Sequence, residues 1–184
     1  MNAPITAAAF ALALFTGIQQ EKPQDKSPEK TSCPMHEQHK APQEAQHHQG
    51  VVERGDQVMG FSHDKTAHHF RLYADGGAIE ATAYDEQDTA SRDDIRAHFG
   101  HIATMFAAGD FSAPMLIHEQ NPPGTEEMKR LRSAIEYNVE NTERGARVRI
   151  TTKNSEALQA VYKFLRFQIV DHQTRDTTEI TKAP

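Results

Sequence analysis

The feature that most constrains this chain is a pattern that occurs twice: two alternating apolar runs joined by a tight turn, followed by a stretch with helical periodicity. In the first copy Phe70 and Leu72 share one face of an extended segment, and after Asp75-Gly76-Gly77 so do Ile79, Ala81 and Ala83. Side chains of equal parity lie on one face of a strand, and Asp-Gly-Gly between two such runs is a strong hairpin signal. Ile95, Phe99, Ile102 and Phe106 then recur at helical spacing, with Ser91 as the expected cap, Asp94 three residues on, and Gly109 as the stop. In the second copy Ile135, Tyr137 and Val139 alternate, Arg144-Gly145 turns, and Ala146, Val148 and Ile150 alternate back. Asn154 or Ser155 caps a helix that carries Leu158, Tyr162, Leu165 and Ile169.

Placing Ile95 on Leu158 also places Phe99 on Tyr162, Ile102 on Leu165 and Phe106 on Ile169. The entries are alike too, Val58-Met59-Gly60-Phe61-Ser62-His63 against Pro114-Met115-Leu116-Ile117-His118. Residues 58–174 therefore read as one domain of two ββα-like repeats, about 58–109 and 114–172. Neither copy can bury a sheet and a helix alone, so the two should share one core. The expected fold is α+β: a four-stranded, mainly antiparallel sheet with two helices on one face. Thr125 to Ser133 is expected as a short surface helix, and residues 175–184 as a frayed end. Phe164 and Phe167 lie outside the second helix's core stripe. A helix apolar on several sides is buried twice, and a homodimer is the simplest second surface.

Upstream the character changes. Ala7 to Ile18 is an apolar run too short to span a bilayer, which takes about 20 residues. Its length fits the h-region of a secretory signal, although no Lys or Arg precedes it and no clean A-x-A site follows. Residues 1–20 are thus expected to be a signal peptide, making the chain exported, periplasmic or secreted, with no integral membrane span in its mature form. Residues 21–57 hold Pro, Gln, Glu, Lys and His with little apolar periodicity and read as a disordered His-rich tail. A net charge of -6 argues against a nucleic-acid partner, since that needs a basic face to displace counterions.

Among the 184 residues are 11 His, 6 Met and 1 Cys, an inventory of soft and borderline metal ligands. Within the tail, Cys33, Met35 and His36 supply a thiolate, a thioether and an imidazole around Pro34. Sulfur beside imidazole favours copper or zinc over hard cations. This Cys33-Pro34-Met35-His36 segment resembles the CPMH motif of bacterial heavy-metal-binding domains, and the resemblance implies metal contact by Cys33, Met35 and His36. In the folded part, VMGFSHDKTAHHFRLYADGGAIEATA, PMLIHEQNPPG and FLRFQIVDH resemble uncharacterised small exported bacterial proteins, which implies export but no particular activity.

Seven His lie in the globular part, six of them between His63 and His118. Asp94, His98, His101 and Met105 form a stripe beside the first helix's core stripe. His68 shares parity with Phe70 and Leu72 and so points inward, while His63 lies just upstream. His98, His101 and His68, with Met105 or His63 as a fourth group, are the expected ligands of a copper or zinc ion in the fold. His98-x-x-His101 lacks the spacing and the Glu of a zinc protease helix, and no nucleophile elbow, phosphate loop or haem-attachment motif is present. A metal-binding protein, or a noncatalytic ligand-binding or interaction module, is favoured over an enzyme.

Overall fold

A computed structural model of the protein describes residues 34–183, with side chains from residue 43 onward. The expected signal peptide and Cys33 lie outside the described residues. The two hairpins are β1 (Thr66–Tyr73) with β2 (Gly76–Ala83), and β3 (Ile135–Thr142) with β4 (Gly145–Thr152). They join through their second strands, so the sheet runs β1-β2-β4-β3 with every neighbouring pair antiparallel. The α+β class and the four-stranded antiparallel sheet are as the alternation requires. One row of side chains crosses the sheet through Phe70, Ile79, Val148 and Val139, and the next through Leu72, Gly77, Ile150 and Tyr137. Gly77 must be glycine: an added Cβ would sit 2.2 Å from Leu165 Cδ1 and 2.4 Å from the Arg71 carbonyl oxygen.

The two long helices of the repeats are α2 (Thr89–Ala108) and, at the end of the chain's regular structure, a helix at Ser155–Asp171. Between them lie α3 (Ser112–His118) and α4 (Thr125–Arg130), which makes Ser155–Asp171 the fifth helix, α5, counting α1 (Pro34–Met59). Each repeat's helix packs chiefly on the other repeat's hairpin, α2 against β3 and β4, and α5 against β1 and β2. Where the helices meet, Phe106 lies edge-on to Phe164 at 5.9 Å and to Tyr137 at 5.8 Å.

The caps show how local chemistry ends these helices. Asp88, not Ser91, caps α2, because its carboxylate reaches the Ser91 N–H at 3.0 Å and the Ser91 hydroxyl at 2.8 Å. Gly109 closes the helix in the left-handed conformation at φ 80°. Asn154 caps α5 by accepting from the Glu156 and Ala157 N–H groups at 2.9 and 3.0 Å. Asn154→Ala should therefore lower the unfolding free energy by about 1 kcal/mol, measured in urea.

Three expectations give way. The stretch read as a disordered tail, 21–57, contributes most of α1, whose inner face, Val51, Gly55 and Met59, is buried at a four-residue period. Apolar positions there are few, but α1 has α3 to pack on, and the Arg54 Nε–H donates to the Ile117 carbonyl at 2.7 Å. Helix α4 is the expected short surface helix, with Glu126, Lys129 and Arg130 exposed and Met128 buried beside α5. Within the end expected to fray, 175–184, Asp176 and Thr181 are instead fastened to β1, Thr181 bridging Tyr73 and its N–H donating to the Leu72 carbonyl at 2.9 Å. Phe164 is buried against Phe106 and Phe111, and Phe167 lies edge-on to His118 at 4.9 Å. The second face of α5 is thus covered by its own chain, which removes the motive for the expected homodimer. Among the described residues no helix is long and apolar enough to cross a membrane.

Candidate histidine site

Five histidines from five separate segments gather near the junction of α1, α3 and the end of α5. After α1, Gly60 at φ 80° turns the chain back, and the loop is held by the Lys65 N–H and the Thr66 hydroxyl donating to the Ser62 carbonyl. This return brings His63 onto Asp56, one turn before the helix ends. The His63 backbone N–H donates to Asp56 Oδ1 at 2.9 Å and the ring Nδ1–H to the same oxygen at 2.5 Å. A carboxylate only accepts, so Nδ1 carries the proton. The opposite nitrogen, Nε2, is buried with no hydrogen-bond partner.

His68, on the inward face of β1 as its parity requires, lies between His63 and Phe61, with ring centres 4.7 and 5.5 Å away. Part of its outline is exposed, yet both ring nitrogens are buried and unpartnered. His98 reaches in from α2 and meets Phe61 edge-on at 5.7 Å. His172, the residue after α5, has its ring 6.0 Å from His63, 6.2 Å from His68 and 4.9 Å from His118. His118, at the end of α3, is fully buried, and its Nδ1–H donates to Asp171 Oδ2 at 2.5 Å. The other Asp171 oxygen accepts from Nε2–H of His47 on α1 at 2.8 Å.

The electrostatics follow from burial. Burial, then repulsion from His63 and His98, pushes the His68 imidazole down to about 3. His98 is pushed down to about 4 by burial and then by His101. His172 is held well below the ordinary imidazole value by burial and by its His118 and His68 neighbours. Burial tends to raise the Asp56 carboxyl, but the hydrogen bonds from His63 outweigh it and hold the group below its ordinary value. His68, His98 and His172 are therefore held as neutral rings, the form that coordinates metals.

Beside these rings is a cavity of about 60 Å³, lined by His68, His98, His118 and His172 on one side and by Phe99, Phe106 and Phe164 on the other. Gln168 also faces it. One end of its amide lies 3.0 Å from His118 Nε2, which accepts from the amide N–H since the ring gives its Nδ1–H to Asp171, and the other end is buried without a partner.

The residues singled out from the sequence fare unequally. His63, His68 and His98 come together. His101 and Asp94 point to solvent, and Met105 packs against the core, because 20 residues of α2 turn only one narrow face toward the histidines. The expected set of His98, His101 and His68 therefore does not form. Met35 and His36 fall in the first turn of α1, outside the described side chains. Sequence reasoning missed His118 and His172, with Asp56, Gln168 and Asp171 behind them. The Asp171-His172 pair after the last apolar position of α5 was the available signal. Among the described residues no three His, Cys, Asp or Glu side chains are placed as a ready metal-holding group. The rings of His63, His68 and His172 stand side by side, with 16–30° between their planes.

No family model, no curated protein and no solved structure matches this chain.

Proposed function

We propose that this chain is an exported protein that binds copper or zinc, with His63, His68 and His172 as ligands in the fold and Cys33, Met35 and His36 as a separate capture point. One observation carries the reading: the Asp56-held His63 keeps a bare, buried Nε2, and His68, its ring centre 4.7 Å away, has two nitrogens that are also buried and unpartnered. Metal-binding imidazoles almost always donate their second N–H to a carboxylate or carbonyl, which fixes the tautomer and raises ligand basicity. A buried polar atom without a partner costs about 1–3 kcal/mol, so several together favour an occupant that accepts their lone pairs.

The spacing suits such an occupant. With metal–nitrogen bonds of about 2.1 Å, two imidazoles on one ion have ring centres roughly 4.5–6.4 Å apart. The separations of 4.7, 6.0 and 6.2 Å fall in that span. The rings stand face to face, so coordination asks for their rotation about their side-chain bonds.

The capture point works apart from this site. At 1.5 Å per residue, α1 separates Met35 from Met59, which lines the cavity, by about 36 Å. One ion cannot be shared across that length, so the chain holds two ions independently.

The test is metal titration of the full chain purified without an affinity His-tag. The expected stoichiometry is two. His63→Ala with His68→Ala should weaken one site by at least ~10-fold, in the range for lost ligands and their supports, and leave the other unchanged. Cys33→Ser with His36→Ala should do the converse. Unchanged uptake by the His63/His68 variant, folded by circular dichroism, would overturn the site in the domain.

A further inference from the structure

We infer that the cavity beside the histidines is a binding site for a short aliphatic alcohol of about three heavy atoms. Its hydroxyl donates to the buried Gln168 carbonyl, and its carbons lie against Phe99, Phe106 and Phe164. The site needs no metal ion and stands apart from the metal reading.

The polar demand comes from one amide. Gln168 is 4% exposed and faces the cavity. His118 gives its one N–H to Asp171, so its Nε2 takes the Gln168 amide N–H. The carbonyl oxygen is then the end left buried without a partner, and a stranded acceptor calls for a donor. His68 lines the same cavity, and both its ring nitrogens are buried and unpartnered. A neutral imidazole offers one N–H and one lone pair, so the polar end suits a group that both donates and accepts. A hydroxyl does both.

Charge is excluded. Burial holds His68, His98 and His172 neutral, and hydrocarbon walls penalise an unpaired ion of either sign. Size sets the rest. A cavity of about 150 Å³ holds benzene, so one of about 60 Å³ holds about three heavy atoms. A lone water, with its share of about 30 Å³, satisfies the Gln168 carbonyl but leaves the phenylalanine side bare. An alcohol brings its own carbons to that side, where their removal from water is favourable.

The probe is ethanol, titrated into the full chain in the presence of a chelator and followed through the backbone amide resonances by NMR. Shifts in α2, α3 and α5 should saturate, with a dissociation constant in the millimolar range that so small a ligand allows. tert-Butanol, the same hydroxyl on too large a body, should give no saturating shift. Gln168→Leu, which removes the acceptor, should weaken ethanol binding about tenfold, the loss of one hydrogen bond. Ala113→Val, which narrows the cavity wall, should weaken it as well, and decides the matter if Gln168→Leu fails to fold. Shifts that rise linearly with ethanol, equal affinity in Gln168→Leu and the parent, or a water at Gln168 that ethanol does not displace would each overturn the inference. Metal is absent throughout, so these results leave copper or zinc uptake untouched, and a chain that takes up no metal leaves this site standing.

Discussion

In the absence of metal, the protein should lose several kcal/mol of stability between pH 6.5 and pH 4.5. The cause is the set of imidazoles kept neutral by burial, His68 pushed down to about 3, His98 to about 4, and His172 in the same direction. Above pH 6.5 neither the folded nor the unfolded chain protonates these rings, and they give no slope. Below it the unfolded chain takes up protons that the folded chain refuses, so stability falls with pH until each folded value is reached. At 1.36 kcal/mol per unit, His68 alone removes about 2–3 kcal/mol by pH 4.5. Asp56, held below its ordinary value of 3.8, adds to the loss only at still lower pH. Against a typical total of roughly 5–15 kcal/mol, this is enough to bring the domain near unfolding. Urea unfolding at a series of pH values in the presence of a chelator measures it. His68→Phe should flatten the curve by its share, and a stability constant from pH 7 to pH 5 would show that these rings do not stay neutral inside the fold.

Local signals made the sheet legible and long-range ones hid the site. Alternation at Phe70, Leu72, Ile79 and Ala81 and the Asp75-Gly76-Gly77 turn are contained within one hairpin, so they can be read without knowing anything else. The same holds for the Asn154 cap and the Gly109 stop. His68 was placed inward by parity alone. His118 and His172, in contrast, become neighbours only because α3 docks on α1 and α5 ends above them, more than 50 positions apart in the chain. Helical spacing put His98 and His101 on one stripe, but a stripe 40° or more wide around α2 spans both the cavity and solvent, and periodicity does not say which edge the neighbours cover. The pairing of Asp56 with His63 needed Gly60 to reverse the chain, a turn whose consequence is visible only once α1 exists.

Cutting the chain after Thr174 should destabilise it and make it self-associate, although nothing in its closing residues carries a regular pattern. β1 is an edge strand, and an open edge offers unpaired N–H and C=O groups to any passing strand. Here that edge is covered. Asp176, with its side chain 5% exposed, accepts from the Phe70 N–H at 2.9 Å, from His69 Nδ1–H at 3.0 Å and from the Arg71 guanidinium at 2.9 Å. Further along, the Thr181 N–H and hydroxyl both donate to the Leu72 carbonyl. Asp176→Ala should cost about 3 kcal/mol, because it removes charge-assisted bonds and strands a backbone N–H. Asp176→Asn, which keeps acceptor capacity without charge, should cost about 1 kcal/mol. The point variants leave the rest of the segment in place and should stay monomeric, while the truncated chain should associate through β1 as concentration rises, followed by light scattering. A truncated chain as stable as the parent and monomeric at every concentration would mean that the segment merely rests on the edge, and that the charge of Arg71 alone keeps other strands away.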